Sequence, residues 1–128
     1  MLRYRIEPRS SETNATGHID HTVIPEWFEL ARTPIYQLFN PGMSFSTWNT
    51  VIRKIEIDYI GQVFHDRETE IRSSVGVVKN SSFQISQELW QDGSLVARGN
   101  TVLVYYDYKS RQKQTIPERI REQLARLL

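Results

Sequence analysis

Two histidines, two carboxylates and an asparagine fall within eleven residues: Ser11-Glu12-Thr13-Asn14-Ala15-Thr16-Gly17-His18-Ile19-Asp20-His21. No other part of the chain is as dense in side chains that can orient water, move a proton or donate to a developing oxyanion. The run leads at once into an apolar stretch, residues 22–39. A short strand is therefore predicted to end in a tight polar turn that feeds straight into a helix. Such a junction directs backbone N–H groups and polar side chains at one point, where a carbonyl oxygen or an anion can be held. His18 and His21 stand three apart with no third ligand in sight, so a metal site is rejected. His65 is assigned to a loop.

The elements that must position this turn are legible from periodicity. Leu2, Tyr4 and Ile6 alternate with Arg3, Arg5 and Glu7, a half-buried strand closed by Pro8. The helix begins near Thr22, a suitable N-cap, with Ile19 as the hydrophobic residue before it and Pro25 in its first turn. Ile24, Phe28, Ala31, Ile35 and Leu38 mark one face, which Trp27, Leu30 and Phe39 widen. A helix this apolar must be wrapped, and a curved sheet is the natural wrapping. Pro34 should kink it around residues 30–33, and Asn40-Pro41-Gly42 ends it. Four strands follow. In the first, Val51, Ile55, Ile57 and Tyr59 face one way and Lys54, Glu56 and Asp58 the other. Residues 67–78, 82–91 and 95–108 form the rest, with Asp92-Gly93 as a two-residue hairpin turn. Residues 117–128 read as a short amphipathic helix. The layout is α+β, one helix against an antiparallel sheet, in a single domain over residues 1–128.

Composition excludes several classes. There is no cysteine, which removes disulfides, thiolate metal sites and a cysteine nucleophile. The net charge is +1 and the basic residues are dispersed, so neither nucleic acid nor a membrane surface is expected as a partner. The start Met1-Leu2-Arg3-Tyr4-Arg5 lacks the apolar run of a signal peptide and no stretch is long enough to span a bilayer, so a cytoplasmic location is expected. A Gly-x-Ser-x-Gly nucleophile turn, a phosphate-cradling loop and a dinucleotide fingerprint are all missing.

The blocks Glu12-Thr13-Asn14-Ala15-Thr16-Gly17-His18 and Trp27-Phe28-Glu29-Leu30-Ala31-Arg32-Thr33 carry a resemblance. The first is similar to an acidic-Thr-Asp-x-x-Gly-(His) turn and the second to a Phe-Glu-x-Ala-Arg-Thr helix. Glu56-Ile57-Asp58-Tyr59, Asn80-Ser81-Ser82-Phe83, Asp92-Gly93-Ser94-Leu95-Val96-Ala97-Arg98-Gly99 and Ile116-Pro117-Glu118 follow in order. In these blocks the chain resembles the hotdog-fold acyl-CoA thioesterases of the 4-hydroxybenzoyl-CoA thioesterase type over nearly its whole length. The resemblance implies a long central helix wrapped by a five-stranded antiparallel sheet. It also implies homodimers or homotetramers with sites between subunits, and hydrolysis of acyl-CoA or carrier-protein thioesters without a cofactor.

Residue by residue, the resemblance puts Asn14 where the family carries its best-known catalytic Asp. Asparagine is no base at neutral pH, but it can orient water or donate to a carbonyl oxygen. A related branch acting on carrier-protein-bound polyketides also has Asn in a Thr-Asn-x-x-Gly turn, and an Arg matching Arg32, yet lacks the Glu matching Glu29. Glu29 is the leading candidate for the general base. A carboxylate beside Trp27 and Phe28 would have a raised pKa, and the competing reading is an i,i+3 pair with Arg32. Arg32 itself is read as a structural tie between helix and sheet. His21 is similar to a histidine that another branch carries after the turn, and can assist Asn14 or bind the thioester carbonyl. His18 matches a Gly-His-Val-Asn-Asn variant as a scaffold residue, in which Asp20 replaces an Asn and supplies helix-start charge. Gly17 lets the chain approach closely, and the helix start at His21 and Thr22 offers N–H groups. The turn Lys79-Asn80-Ser81-Ser82 lies, by resemblance, near the coenzyme A nucleotide arm. Trp48, Phe64, Phe83 and Trp90 are assigned to the core or a dimer interface. Two other readings are a carrier-protein thioesterase and a non-catalytic acyl-CoA-binding homologue that has lost its acid at position 14.

Overall fold

The computed structural model describes all 128 residues. Strand β1 (Leu2–Ile6) is followed by the turn and by two abutting helices, α1 (Val23–Ala31) and α2 (Thr33–Phe39). Then come β2 (Thr50–Tyr59), β3 (Thr69–Val78), β4 (Ser82–Gln91), β5 (Ser94–Asp107), the two-residue β6 (Gln112–Lys113) and α3 (Glu118–Ala125). The sheet runs β1-β3-β4-β5-β2 with every neighbouring pair antiparallel, and β6 adds to β5. This is the hotdog architecture, with β1 and β2 at the two edges.

The central helix is not continuous. Pro34 has no N–H to give to Leu30, and the chain breaks between α1 and α2 at Arg32, within the span predicted to kink. Leu30, expected to widen the buried face, is 51% exposed, whereas Tyr36 is buried. At 100° per residue, Leu30 lies well off the centre of the stripe formed by Ile24, Trp27, Phe28 and Ala31.

The halves of the helix cover separate parts of the core. Trp27 and Phe28 of α1 pack on Ile71, Leu89 and Ala97, and Ile35 and Phe39 of α2 pack with Phe83, Leu103 and Leu124. Gly99 on β5 lets Phe28 come close, since a Cβ there would lie 3.1 Å from the ring. Phe83 is core, as assigned, and Trp48 is packed partly buried against the α2 cluster. Trp90 instead lies half-buried under the Arg72 guanidinium, 4.5 Å from its ring centre. Between the clusters runs a polar seam of Arg32, Gln87 and Thr101.

β2 departs from its predicted pattern. A bulge between Ile52 and Lys54 shifts the register, so Val51 pairs with Val104 while Ile55 pairs with Thr101 on the helix side. One extra residue reverses the faces before it, and Val51 and Ile55 point to opposite sides. Asp92 and Gly93 form the β4–β5 hairpin with φ of 46° and 78°, the left-handed pair that a two-residue turn requires. No helix is long and apolar enough to cross a membrane.

Candidate active site

The polar turn between β1 and α1 is closed by a bridge between Thr13 and Ile19. Ile19 is buried and its N–H donates to Val63 at 2.7 Å, which anchors the turn to the body. Within it, Asn14 N–H donates to His18 C=O at 2.8 Å and Gly17 N–H to Asn14 C=O at 3.0 Å. Gly17 has φ of +84°, a conformation L side chains rarely adopt, so glycine is needed for the backbone itself.

The Asn14 side chain is the hub. Its Oδ1 accepts from the Thr16 N–H at 3.0 Å and from the Thr16 hydroxyl, and its Nδ2 donates to Asp20 Oδ1 at 3.2 Å. An amide nitrogen has two hydrogens, so one N–H of Asn14 is left unbonded. The Thr16 hydroxyl has one hydrogen, already given to Asn14. His18 Nδ1, 3.1 Å from that oxygen, must therefore be the donor, which assigns its tautomer. Phe64, half-buried, packs edge-on against the His18 ring at 5.2 Å.

Thr22 stands at the N-cap of α1, as expected, but the side chain that holds the helix start is that of Asp20. Thr22 already has helical backbone angles and its side chain caps nothing; instead its N–H (3.1 Å) and its hydroxyl both donate to Asp20 Oδ2. These bonds from Thr22, followed by the one from Asn14, hold the Asp20 carboxyl below the usual carboxylate range. The Thr22 N–H is thus occupied, whereas the His21 N–H has no partner in the chain. The His21 carbonyl accepts from the Tyr59 hydroxyl at 2.9 Å, and its ring Nδ1 lies 3.8 Å from Asp20 Oδ1. Burial, and then the Asp20 charge, push the Tyr59 hydroxyl's pKa up.

Glu29 lies apart from this turn. It stands seven residues after Thr22 on the same side of the helix, about 10 Å along the axis. Trp27 and Phe28 point into the core, and Glu29 faces Arg32 and Tyr36. Its Oε2 accepts from Arg32 Nη2 and, at 3.0 Å, from the Tyr36 hydroxyl; its Oε1 has no partner. Arg32 is 2% exposed and reaches on to Tyr36, Gln87 and Thr101 at 3.0, 3.1 and 3.3 Å. Gln87 passes the network to Phe28 C=O and Ser73. Arg32 is the tie between helix and sheet that the sequence suggested, made at the joint between the two core clusters.

Lys79, Asn80 and Ser81 sit in a third place. The turn is fastened by Lys79 N–H to Ser82 C=O at 2.7 Å and by Arg121 to the Lys79 and Asn80 carbonyls. Lys79 rims a groove of about 550 Å³ together with Arg53 and Lys54. Of these three cations, only Lys54 has a carboxylate partner, Glu56 at 2.6 Å.

The sequence model of the thioesterase-like superfamily matches residues 8–124, a span holding all three places. The chain belongs to this superfamily. By that membership it is a thioester hydrolase. Its structure is similar to that of a predicted thioesterase from Bacillus stearothermophilus, with 34% identity over 99% of this chain and 96% of that one and a TM-score of 0.96. A thioesterase from Thermus thermophilus, solved with coenzyme A and Zn, is 24% identical over 95% of each chain with a TM-score of 0.84. A DHNA-CoA thioesterase from Staphylococcus aureus is 18% identical over 98% of this chain and 91% of that one, with a TM-score of 0.81. No curated protein matches the chain.

In this thioesterase the turn residues Asn14, Gly17, His18, His21 and Thr22 form one connected unit. Glu29 and the Lys79 turn are not bonded to it. Sequence reasoning missed three participants: the Asn14–Asp20 bond, Tyr59 beneath His21, and Tyr36 beside Glu29. Tyr36 follows Glu29 by seven and Arg32 by four, a helical spacing that would have exposed the group. Tyr59 comes from the far edge of the sheet, and nothing local signals it.

Proposed function

We propose that this protein hydrolyses acyl-CoA thioesters to a free acid and coenzyme A. Water attacks the thioester carbon, Glu29 Oε1 takes its proton, and the C–S bond breaks to release the thiolate. Because Glu29 lies about 10 Å along the helix from the junction of its own chain, the base and the oxyanion donors of one site come from two paired copies. The unbonded N–H of Asn14 and the unpartnered N–H of His21 hold the carbonyl oxygen as it gains charge. The observation that carries this reading is the pair of free donors at one turn–helix junction, on a helix that also carries a carboxylate with one free oxygen. Gly17, His18 and Thr22 serve by fixing that junction: His18 through Thr16, Thr22 through Asp20.

Lys79, with Arg53 and Lys54 around the groove, takes the phosphates of the nucleotide arm, while Asn80 and Ser81 shape the turn. The bound coenzyme A of the Thermus thermophilus relative supports a CoA ester as substrate. The uncovered edge strand β2, with Ile52, Ile55 and Tyr59 exposed, supports pairing of two copies there. Thiol release from short, medium, long and aromatic acyl-CoAs tests the reading. A clear preference with turnover above background establishes it. No release from any ester transfers the role to a carrier-protein substrate or to binding alone.

A further inference from the structure

We propose that Asp20 is a positioning residue for Asn14, its carboxylate fixing the side-chain amide so that one N–H always faces the substrate's thioester oxygen. This rests on the reading of Asn14 as an oxyanion donor. A free asparagine amide has two orientations that differ by half a turn, and only one of them presents nitrogen where oxygen would otherwise be. Here the surroundings choose. The Oδ1 side faces the Thr16 N–H, which can only donate, and the Thr16 hydroxyl, which donates here. The Nδ2 side faces the Asp20 carboxylate, which only accepts. The flipped amide would set nitrogen against the Thr16 N–H and oxygen against an anion, and would lose both of those bonds; only the Thr16 hydroxyl could reverse its role.

Asp20 is itself held by hydrogen bonds from the helix start. Thr22 donates to it twice from the helix start, and the Asp20 carbonyl accepts from the Val23 N–H at 3.0 Å. With three donors on its four acceptor sites, Asp20 is poorly placed to take a proton from water. It instead transmits the position of α1 to Asn14. The chain thereby keeps a carboxylate and an amide in contact across the turn.

Asp20→Asn tests this cleanly, because asparagine caps a helix as well as aspartate does. The new side chain can keep its oxygen on Thr22 but then turns an NH₂ against the Asn14 amide. Expected are a kcat lower by about 10- to 100-fold for the best acyl-CoA, a KM within about twofold and a Tm lowered by only a few degrees, so that the variant stays folded at the assay temperature. Should D20N fold poorly, Asp20→Ser caps with a shorter hydroxyl that leaves Asn14 unheld, and the same split is expected. Wild-type kcat in either folded variant, or a kcat loss no larger than the unfolded fraction at the assay temperature, overturns the proposal. A readout independent of turnover is the Asn14 side-chain amide in a ¹H–¹⁵N spectrum. It should shift as Asp20 titrates below the usual carboxylate range, and that shift should vanish in D20N, which assigns it to Asp20 and not to His21. No shift overturns the positioning role. If the wild type hydrolyses no thioester yet the amide shifts, the functional reading fails and the positioning stands.

Discussion

Glu29 is the only carboxylate bonded to the buried guanidinium of Arg32. The pair is asymmetric: the Arg32 side chain is 3% exposed and that of Glu29 is 50% exposed. One carboxylate oxygen neutralises a charge held inside the protein, and the other is free at the surface. A single residue therefore serves the fold through Oε2 and, in the proposed reaction, the chemistry through Oε1.

The two roles separate by mutation. Glu29→Gln should lower turnover by about 100-fold or more, the usual cost of losing a general base. It should also cost about 1–2 kcal/mol of stability, because Arg32 loses its counter-charge while water at the half-exposed site compensates in part. Adding Arg32→Met removes the stranded charge but also takes the donor from buried Gln87 and Thr101, so the double variant should recover little Tm and no turnover. If E29Q keeps full turnover, Glu29 is a structural partner and not the base.

That pairing was legible in the sequence, since residues three apart on a helix meet. So were β4 and its Asp92-Gly93 turn, because alternation and turn chemistry agree there, and the break at Pro34, because a missing N–H has one consequence. The face reversal in β2 was not legible. A bulge at Arg53 is set by pairing with β5, and the strand's own alternation carries no trace of it. The Asn14–Asp20 contact was equally hidden, because it needs the bridge between Thr13 and Ile19 to bring residues six apart together. Leu30 misled for a different reason: its hydrophobicity matched the stripe, and only its angle did not.

Gly17 and Gly99 should fail in different ways. A Cβ at Gly17 meets nothing within 4 Å, so Gly17→Ala carries only the cost of φ +84°, about 1–2 kcal/mol, together with a distorted turn and reduced kcat. A Cβ at Gly99 would lie 3.1 Å from Phe28, so Gly99→Ala is an overpacking change costing about 1–3 kcal/mol. Trimming the ring with Phe28→Leu should ease G99A and leave G17A unimproved. Thermal unfolding of the singles and doubles checks this, and rescue of both by F28L would contradict it.

Tyr36 should mark the alkaline limit of the fold. Burial, the largest cause, pushes its hydroxyl up to about 12 from an ordinary 10, while the Arg32 charge pulls the other way. In the folded protein Tyr36 keeps its proton where an unfolded chain has lost it. The stability this contributes is present below pH 10 and is lost as pH rises from 10 towards 12. Tyrosinate absorbance should show Tyr36 titrating late beside the raised Tyr59, and the part of the late absorbance due to Tyr36 should disappear in Tyr36→Phe, while the Y36F variant should lose less stability over that interval. A wild-type curve complete by pH 11 would rule this out.

Lys79 should govern affinity and leave the chemistry alone. It reaches the groove from a turn that Arg121 and Asn80 hold in place, far from the junction of Asn14 and His21 in the bonding network. An ammonium meeting a phosphate at an exposed rim is worth about 1 kcal/mol and is screened over about 10 Å at 0.1 M salt. Lys79→Ala should therefore raise KM for a CoA ester about fivefold at low salt, with kcat unchanged, and the difference should shrink as salt is added. Lys79→Arg keeps the charge and should stay near wild type. The same acyl group on a short pantetheine thioester has no nucleotide phosphates, so K79A and wild type should not differ on it. An equal KM rise on both substrates would mean that Lys79 acts through the shape of its turn, and the nucleotide arm would then have to lie elsewhere.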